Sequence, residues 1–409
     1  MVIQSERDRL GELVQIEDPA FYADNPFPVF ERMRREAPVF YYEPLDTWVL
    51  TRYEDIRMVG RSPEIFSNQG GILLNDIRHD SVIKSFFGQD AEVLSTTDPP
   101  RHRELRRMIS PSFTPNSIKE MEGAVRRFCR DLIDAIVPDQ PIEFVGQIGA
   151  VIPLKAIALL MGLPTDDVTR LKYWSDEMIK MGAALDREGL ALAAANTEGM
   201  RSFFDEWMIR CLGKESREMI PTIVSAKLGG ADLSYDTIHM FLRSVLVAGN
   251  ETTRDFISGS IWAYANYPDQ RAKLRADPAR LADAGEECLR WVTPVRGFIR
   301  TVTRDTEIRG REIKQGQHVH MMWMAANRDE SIWSDADVFD VSRRPEPTHL
   351  AFGFGEHACV GAALARLEGR VFFEELIQRY PHWELAGPPV RPHSVLHNSF
   401  EELPVVFST

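Results

Sequence analysis

Phe352-Gly353-Phe354-Gly355-Glu356-His357-Ala358-Cys359-Val360-Gly361, with Ala362-Ala363-Leu364-Ala365-Arg366-Leu367-Glu368 directly behind it, is the stretch that orders the rest of the chain. Three glycines around one cysteine let the backbone take positive φ and come close to something flat and bulky. The run that follows is a good helix former. Its first N–H groups aim back at Cys359, and a helix N-terminus favours the thiolate, the form of cysteine that ligates metals. The spacing excludes rivals. Ala358 stands where G-x-G-x-x-G needs its third glycine, and no Gly-Lys-Ser/Thr phosphate loop is present. No second cysteine lies at the spacing of a zinc knuckle. A lone cysteine is by default a small buried apolar residue; the pattern around Cys359 is what sets it apart.

The chain has 409 residues, 44% hydrophobic and 10% aromatic, which is ordinary globular content and enough for more than one core. A formal net charge of −13 argues against a nucleic-acid binder. Four cysteines without pairing-like spacing predict a reduced, cytoplasmic protein. The opening residues Met1 to Arg9 contain no apolar core of signal-peptide length, and no apolar run is long enough to span a membrane.

The expected fold class is mainly α with a small β-rich region, in one domain over 1–409. Pro26 opens a helix to Glu36 that Ala37-Pro38 stops. Val39–Tyr42 and Thr47–Thr51 read as a hairpin. The β-rich part is expected at about 37–65, at 294–324 and in the C-terminal tail, and residues 66–93 read as loop. Helices are expected near 100–109, 117–136, 152–161, 165–183, 189–212, 278–291 and 360–379. Ser234 is a helix N-cap, and apolar or small residues recur at helical period from Ile238 to Gly259. That helix ends before Pro268, which makes it long enough to cross the whole body.

Three further groups stand out. Ala248-Gly249-Asn250-Glu251-Thr252-Thr253 places a glycine, an acid and two hydroxyls mid-helix. Glycine costs about 1 kcal/mol there, so Gly249 marks a close approach, and such a threonine can bond back to the carbonyl four residues earlier. Taken alone, the segment reads more readily as a helix–helix contact. Glu287 and Arg290 are spaced i,i+3. His102 and Arg106 share one helical face, where two donors reach two carboxylates, although a run of this kind is usually a solvated basic face.

Taken together, Phe-Gly-x-Gly-x-His-x-Cys-x-Gly resembles the heme-binding signature of the cytochrome P450 family, and the other groups fall at that family's spacing. The resemblance covers about 26–407 and is closest to the soluble bacterial type. It implies a triangular helical prism with heme b (iron protoporphyrin IX) between the long helix and the cysteine loop. Cys359 would be the axial iron ligand, with Phe352, Gly353, Ala248 and Gly249 against the heme and His102, Arg106, Arg300 and His357 on its propionates. The Thr252 position would steady dioxygen and Glu251, where aspartate is commoner, would deliver protons. Glu287, Arg290 and Arg343 would form a buried structural triad, and Asp335-Ala336 departs from the family's usual Asp-Pro. His349 could be read as a second axial ligand, but fits the turn entering the loop better.

The resemblance further implies a heme-thiolate monooxygenase that takes electrons from a ferredoxin and its NAD(P)H-dependent reductase and inserts one atom of O2 into a C–H bond. A monomer is expected. The pocket would be lined by Ile72, Leu73, Leu74, Phe86, Phe87, Met178, Met181, Ser244, Val247, Ala248, Val295, Phe298, Asn398 and Phe400. The 248–254 string is similar to that of members oxidising sterols and lipids, with terpenoids and aromatics as other classes. Arg101, Arg103, Arg107, Arg126, Arg127 and Arg130, with Arg366 and Arg370 nearby, form a basic patch for an acidic ferredoxin, the alternative being a solvated face. A peroxygenase or isomerase, or a heme sensor, are rival readings; the Glu251–Thr252 pair argues against each.

Overall fold

The computed structural model describes residues 10–23, 25–78, 92–166, 168–183, 192, 195–214, 216–228, 231–344 and 346–409. The elements that position the site are helices α1 (Phe27–Glu36), α2 (Tyr53–Arg61), α3 (Arg101–Ile109), α4 (Pro115–Asp134), α5 (Val151–Met161), α6 (Thr169–Ala183), α7 (Glu198–Cys211), α8 (Tyr235–Asn266), α9 (Leu281–Val292) and α10 (Ala362–Arg379). The strands used below are β1 (Val39–Tyr42), β2 (Thr47–Leu50), β3 (Phe66–Ser67), β4 (Pro141–Glu143), β5 (Gly297–Val302), β6 (His318–Met322), β7 (His382–Leu385) and β8 (Pro404–Ser408).

Helix α8 is the axis of the body. The Ser234 hydroxyl caps it, accepting from Thr237 N at 3.2 Å, and Pro268 begins the next helix immediately after its end. Its 32 residues span about 48 Å. Leu242, Leu246, Phe256, Ile257 and Ile261 are buried in one large cluster with Ile152 and Ile157 of α5 and Leu364 and Leu367 of α10. Gly249 permits a close crossing with α5: a Cβ there would sit 2.3 Å from Ile157 Cδ1. The helix–helix reading of Gly249 therefore holds, and it lines the central cavity as well.

The β1–β2 hairpin joins a five-stranded sheet in the order β1-β2-β6-β5-β3. Strand β6 runs parallel to β2, with Val319 opposite Trp48, and antiparallel to β5, with Met321 opposite Phe298. The β-rich part is narrower than expected from 37–65, because residues 53–61 form α2. Tyr53, Ile56 and Val59 give that helix its buried stripe, and the Asp329 carboxylate accepts from Tyr53 N at 3.0 Å at its start. Leu74–Arg78 is a short helix inside the expected 66–93 loop. The tail strand β8 lies between β7 and β4, with Val405 opposite Ile142.

Candidate active site

One cavity of about 860 Å³ lies between α8 and the cysteine loop, and its lining includes Cys359, Thr252, His102, Arg106, Arg300 and His357. The loop is shaped by its backbone. Cys359 N donates to Phe352 O at 2.9 Å and Gly353 N to Leu350 O at 2.9 Å. Gly355 has φ +80°, and its would-be Cβ falls 1.8 Å from Gly60 O of α2; no side chain fits in that conformation against that carbonyl. Arg57 and Arg61 of α2 lie over Phe354 at 4.7 and 4.9 Å.

Cys129, Cys211 and Cys288 are buried, and Cys359 alone presents surface, which opens into the cavity. Burial pushes its thiol up. The N–H groups of Gly361 and Ala362 and the guanidinium groups of Arg106 and Arg366 pull it back. Helix α10 begins at Ala362, so the sequence reading of the helix start behind the sulfur is realised in space. Arg366 also lies 4.5 Å from the Phe352 ring.

On the same side, four donors converge with few acceptors. The His102 and His357 rings are 4.1 Å apart, and His102 Nδ1 and His357 Nε2 are buried with no hydrogen-bond partner among the described residues. Arg106 Nη1 donates to the Glu356 carbonyl at 3.1 Å, and Arg300 Nη1 to its neighbour's carbonyl at Ile299 at 2.7 Å. Burial lowers Arg300 to about 10. Burial, with His102, Arg300 and Arg106 adding repulsion, lowers His357 to about 2. Unpaired buried donors are costly. A dianion in the cavity would satisfy them, and the two carboxylates of heme b fit that requirement.

Across the cavity, Thr252 donates its hydroxyl to Ala248 O at 2.8 Å, the back-bond expected from sequence. Glu251 turns the other way and is buried, held by Arg254 and by Asn250 Nδ2 at 3.3 Å. Asn250 also donates to Ser175 Oγ of α6 at 3.0 Å. Burial pushes the Glu251 carboxyl up to about 7, against the pull of Arg254.

Ile72, Leu73, Leu74, Met178, Ser244, Val247, Ala248, Val295 and Phe298 line the cavity as expected. Phe86, Phe87 and the side chain of Met181 lie outside the described residues. Asn398 and Phe400 are corrections: neither is on the wall. Asn398 is committed to the Val292 carbonyl and to Arg391, and Phe400 packs on Trp262 at 5.9 Å and under Arg391. The tail reaches the cavity earlier, through His393 to His397, where the Ser394 hydroxyl accepts from Leu396 N and His397 N and forms a turn. Sequence reading missed this segment, and also Met240 and Phe241 on the wall. Arg254 and Asp255 were missed too; two adjacent charges in the middle of a buried helix were the available signal.

Glu287, Arg290 and Arg343 come together. Arg290 meets Glu287 through Nε at 2.6 Å and Nη2 at 2.8 Å, and Arg343 Nε lies 3.3 Å from Glu287. His349 lies off the cavity wall, its Nε2 3.3 Å from Glu286 and its Nδ1 accepting from Ala351 N. The basic patch is largely neutralised. Arg101 pairs with Glu92 and Glu104, Arg103 with Glu356, Arg126 and Arg130 with Glu375, Arg366 with Glu286, and Arg370 with Glu122 and Glu374. Exposed Arg107 and Arg127 have no carboxylate partner among the described residues.

Residues 194–398 match the family model for cytochrome P450. A methyl-branched lipid omega-hydroxylase of Mycobacterium tuberculosis is 33% identical over 407 residues, covering 93% of this chain and 90% of that protein. The fold superposes on cytochrome P450-153 from Novosphingobium aromaticivorans with a TM-score of 0.87 at 29% identity, over 96% of this chain and 99% of that one. A Bacillus megaterium relative solved in complex with testosterone gives 0.82 at 28% identity, over 94% of this chain and 100% of its own. Among the described residues no helix is long and apolar enough to cross a membrane.

Proposed function

The chain belongs to the cytochrome P450 family, and from that membership we propose that it hydroxylates an elongated apolar substrate of lipid or sterol type, drawing electrons from a ferredoxin. The activity is that of a cytochrome P450 monooxygenase and the cofactor is heme b. Bound to a cysteine thiolate, the heme would activate dioxygen so that one of its two oxygen atoms can be inserted. The observation that carries the assignment of residues is the meeting, in one cavity, of the Cys359 sulfur, four donors with no carboxylate in hydrogen-bond reach among the described residues and the Thr252 hydroxyl.

Each residue then has a task. Cys359 ligates the iron, and His102, Arg106, Arg300 and His357 hold the propionates. Thr252 donates its hydroxyl hydrogen bond to Ala248 O, which leaves the oxygen lone pairs free to hold a water or a proton donor in place. Glu251, its carboxyl pushed up from the ordinary carboxylate range by burial, is placed to both give and take a proton closer to neutral pH, the condition for an efficient relay. Ile72, Leu73, Met178, Val247, Val295 and Phe298 exclude water and leave few polar groups to recognise, which suits an apolar chain or ring system. A methyl-branched lipid substrate in one relative and bound testosterone in another support this class.

The test screens branched fatty acids, steroids and terpenoids for a low- to high-spin shift, then for an NADH-driven hydroxylated product with a ferredoxin pair. A lipid or steroid should give both. A shift only with small aromatics, or turnover with peroxide alone, would overturn the reading.

A further inference from the structure

Two carboxylates share one guanidinium behind the cavity face of α8. Arg254 Nη2 contacts Glu251 Oε2, and the same nitrogen lies 3.1 Å from Asp255 Oδ1, with Nε at 3.2 Å. The other oxygen of Asp255 is 3.0 Å from His397 Nδ1. The Glu251 and Asp255 side chains are 2% and 0% exposed, so bulk salt screens this chain of charges little. His397 closes it from a different element, pinned by a bridge to Val295 and by its N–H on Ser394 Oγ at 2.9 Å. His397 is among the residues that line the cavity, whereas Glu251, Arg254 and Asp255 are not. A histidine of the cavity wall is thus joined to the Glu251 carboxyl through one carboxylate and one guanidinium.

We propose that His397 is a positioning residue for Glu251: charged, it satisfies Asp255 and leaves Arg254 to Glu251; neutral, it leaves Asp255 to compete for the guanidinium, and Glu251 keeps its proton. Arg254 stays charged throughout and carries no proton between them; it transmits charge only. A histidine is suited to the task because its ordinary charge change falls near neutral pH. After burial, the influences on Glu251 have the signs this requires: Arg254 and His397 lower its pKa and Asp255 raises it. The remaining charges facing the chain are Asp176 of α6, itself paired with Lys172 at 2.7 Å, and Arg296 and Arg391 at the Asp255–His397 end. His393 lines the same part of the cavity.

The consequence for turnover rests on the proton-delivery role of Glu251 given above, but the network itself is tested apart from turnover. The ferric holoenzyme is titrated in the infrared, following the protonated-carboxyl stretch that Glu251→Gln removes. His397→Gln keeps a hydrogen-bonding side chain on Asp255 without the charge, and the Glu251 midpoint should rise by about one pH unit. Asp255→Asn frees Arg254, and the midpoint should fall by about as much. A merely structural role gives no reason for opposite signs. Unchanged midpoints, or two that move the same way, overturn the proposal. Should Asp255→Asn lose its thiolate–carbon monoxide band, His397→Gln and His397→Phe decide: both must raise the midpoint, and a failure of either overturns it. Opposite shifts uphold the network even where the pH profile of turnover ignores them; that second result counts against proton delivery by Glu251 instead.

Discussion

Replacing Glu287 by Gln should cost about 4 kcal/mol and shed the cofactor, although residue 287 is not on the cavity wall. Glu287 and Arg290 are 1% and 3% exposed. The carboxylate takes Arg290 Nε at 2.6 Å and Nη2 at 2.8 Å, together with the Asp340 N–H at 2.9 Å. The guanidinium spends its remaining three N–H groups on the carbonyls of Asn327 and Ala336, each at 2.7 Å, and of Val338 at 3.2 Å. A glutamine keeps one acceptor oxygen and turns an NH2 toward a buried cation, and breaking such a pair from one side typically costs about 3–5 kcal/mol. At roughly 2.1 cal/mol/K per residue, the unfolding entropy of a chain this long is about 0.9 kcal/mol/K, so Tm should fall by about 5 °C. Asn327 also accepts from Leu350 N at 2.7 Å through its Oδ1, which ties the disturbed segment to the entry of the cysteine loop. The assay is thermal unfolding of the holoenzyme, with the fraction showing the thiolate–carbon monoxide band measured alongside. A loss below about 1 kcal/mol with full heme retention would refute the reasoning, because the pair would then be no better than its own desolvation cost.

Thr252→Ala should keep NADH consumption within a few-fold while product falls and hydrogen peroxide rises, measured as product per NADH; full coupling with a tightly fitting substrate would make the hydroxyl structural. Because six of the eight patch arginines are already paired, docking of the proposed acidic ferredoxin should fall to Arg107 and Arg127, which have no carboxylate partner among the described residues. Arg107→Glu with Arg127→Glu should slow ferredoxin-driven reduction about tenfold at low ionic strength and little at high; unchanged stopped-flow rates would remove the patch from the docking surface.

The parts of this molecule legible in its sequence are those fixed by local chemistry. Ser234 and Pro268 bound α8 because capping and the missing N–H act within one turn, and the cysteine loop is readable because its glycines, histidine and cysteine are neighbours. The β1–β2 hairpin follows from two short β-rich runs around Pro44. What escaped was set by partners distant in sequence. Strand β4 is a strand because β8, more than 260 residues on, lies beside it. The arginines of α3 and α4 looked like a field of charge because Glu356, Glu374 and Glu375 come from the other end of the chain. Asn398 and Phe400 were placed on the wall by resemblance, but facing in an irregular tail is decided by the turn at Ser394, which no periodicity announces. His397 and Asp255 meet only in three dimensions.

The contact of Gly355 with Gly60 has a bearing on how this protein can be divided. The turn that presents Cys359 is moulded against a carbonyl of α2, nearly 300 residues earlier, with Arg57 and Arg61 lying on Phe354 from the same helix. A fragment starting after α2 would carry the entire cysteine motif yet lack the surface that gives it shape. Grafting the loop and α10 onto another scaffold would fail for the same reason unless a helix with a glycine at the crossing came with them. In a split-protein design, residues 53–61 and 350–361 belong on the same side of the cut.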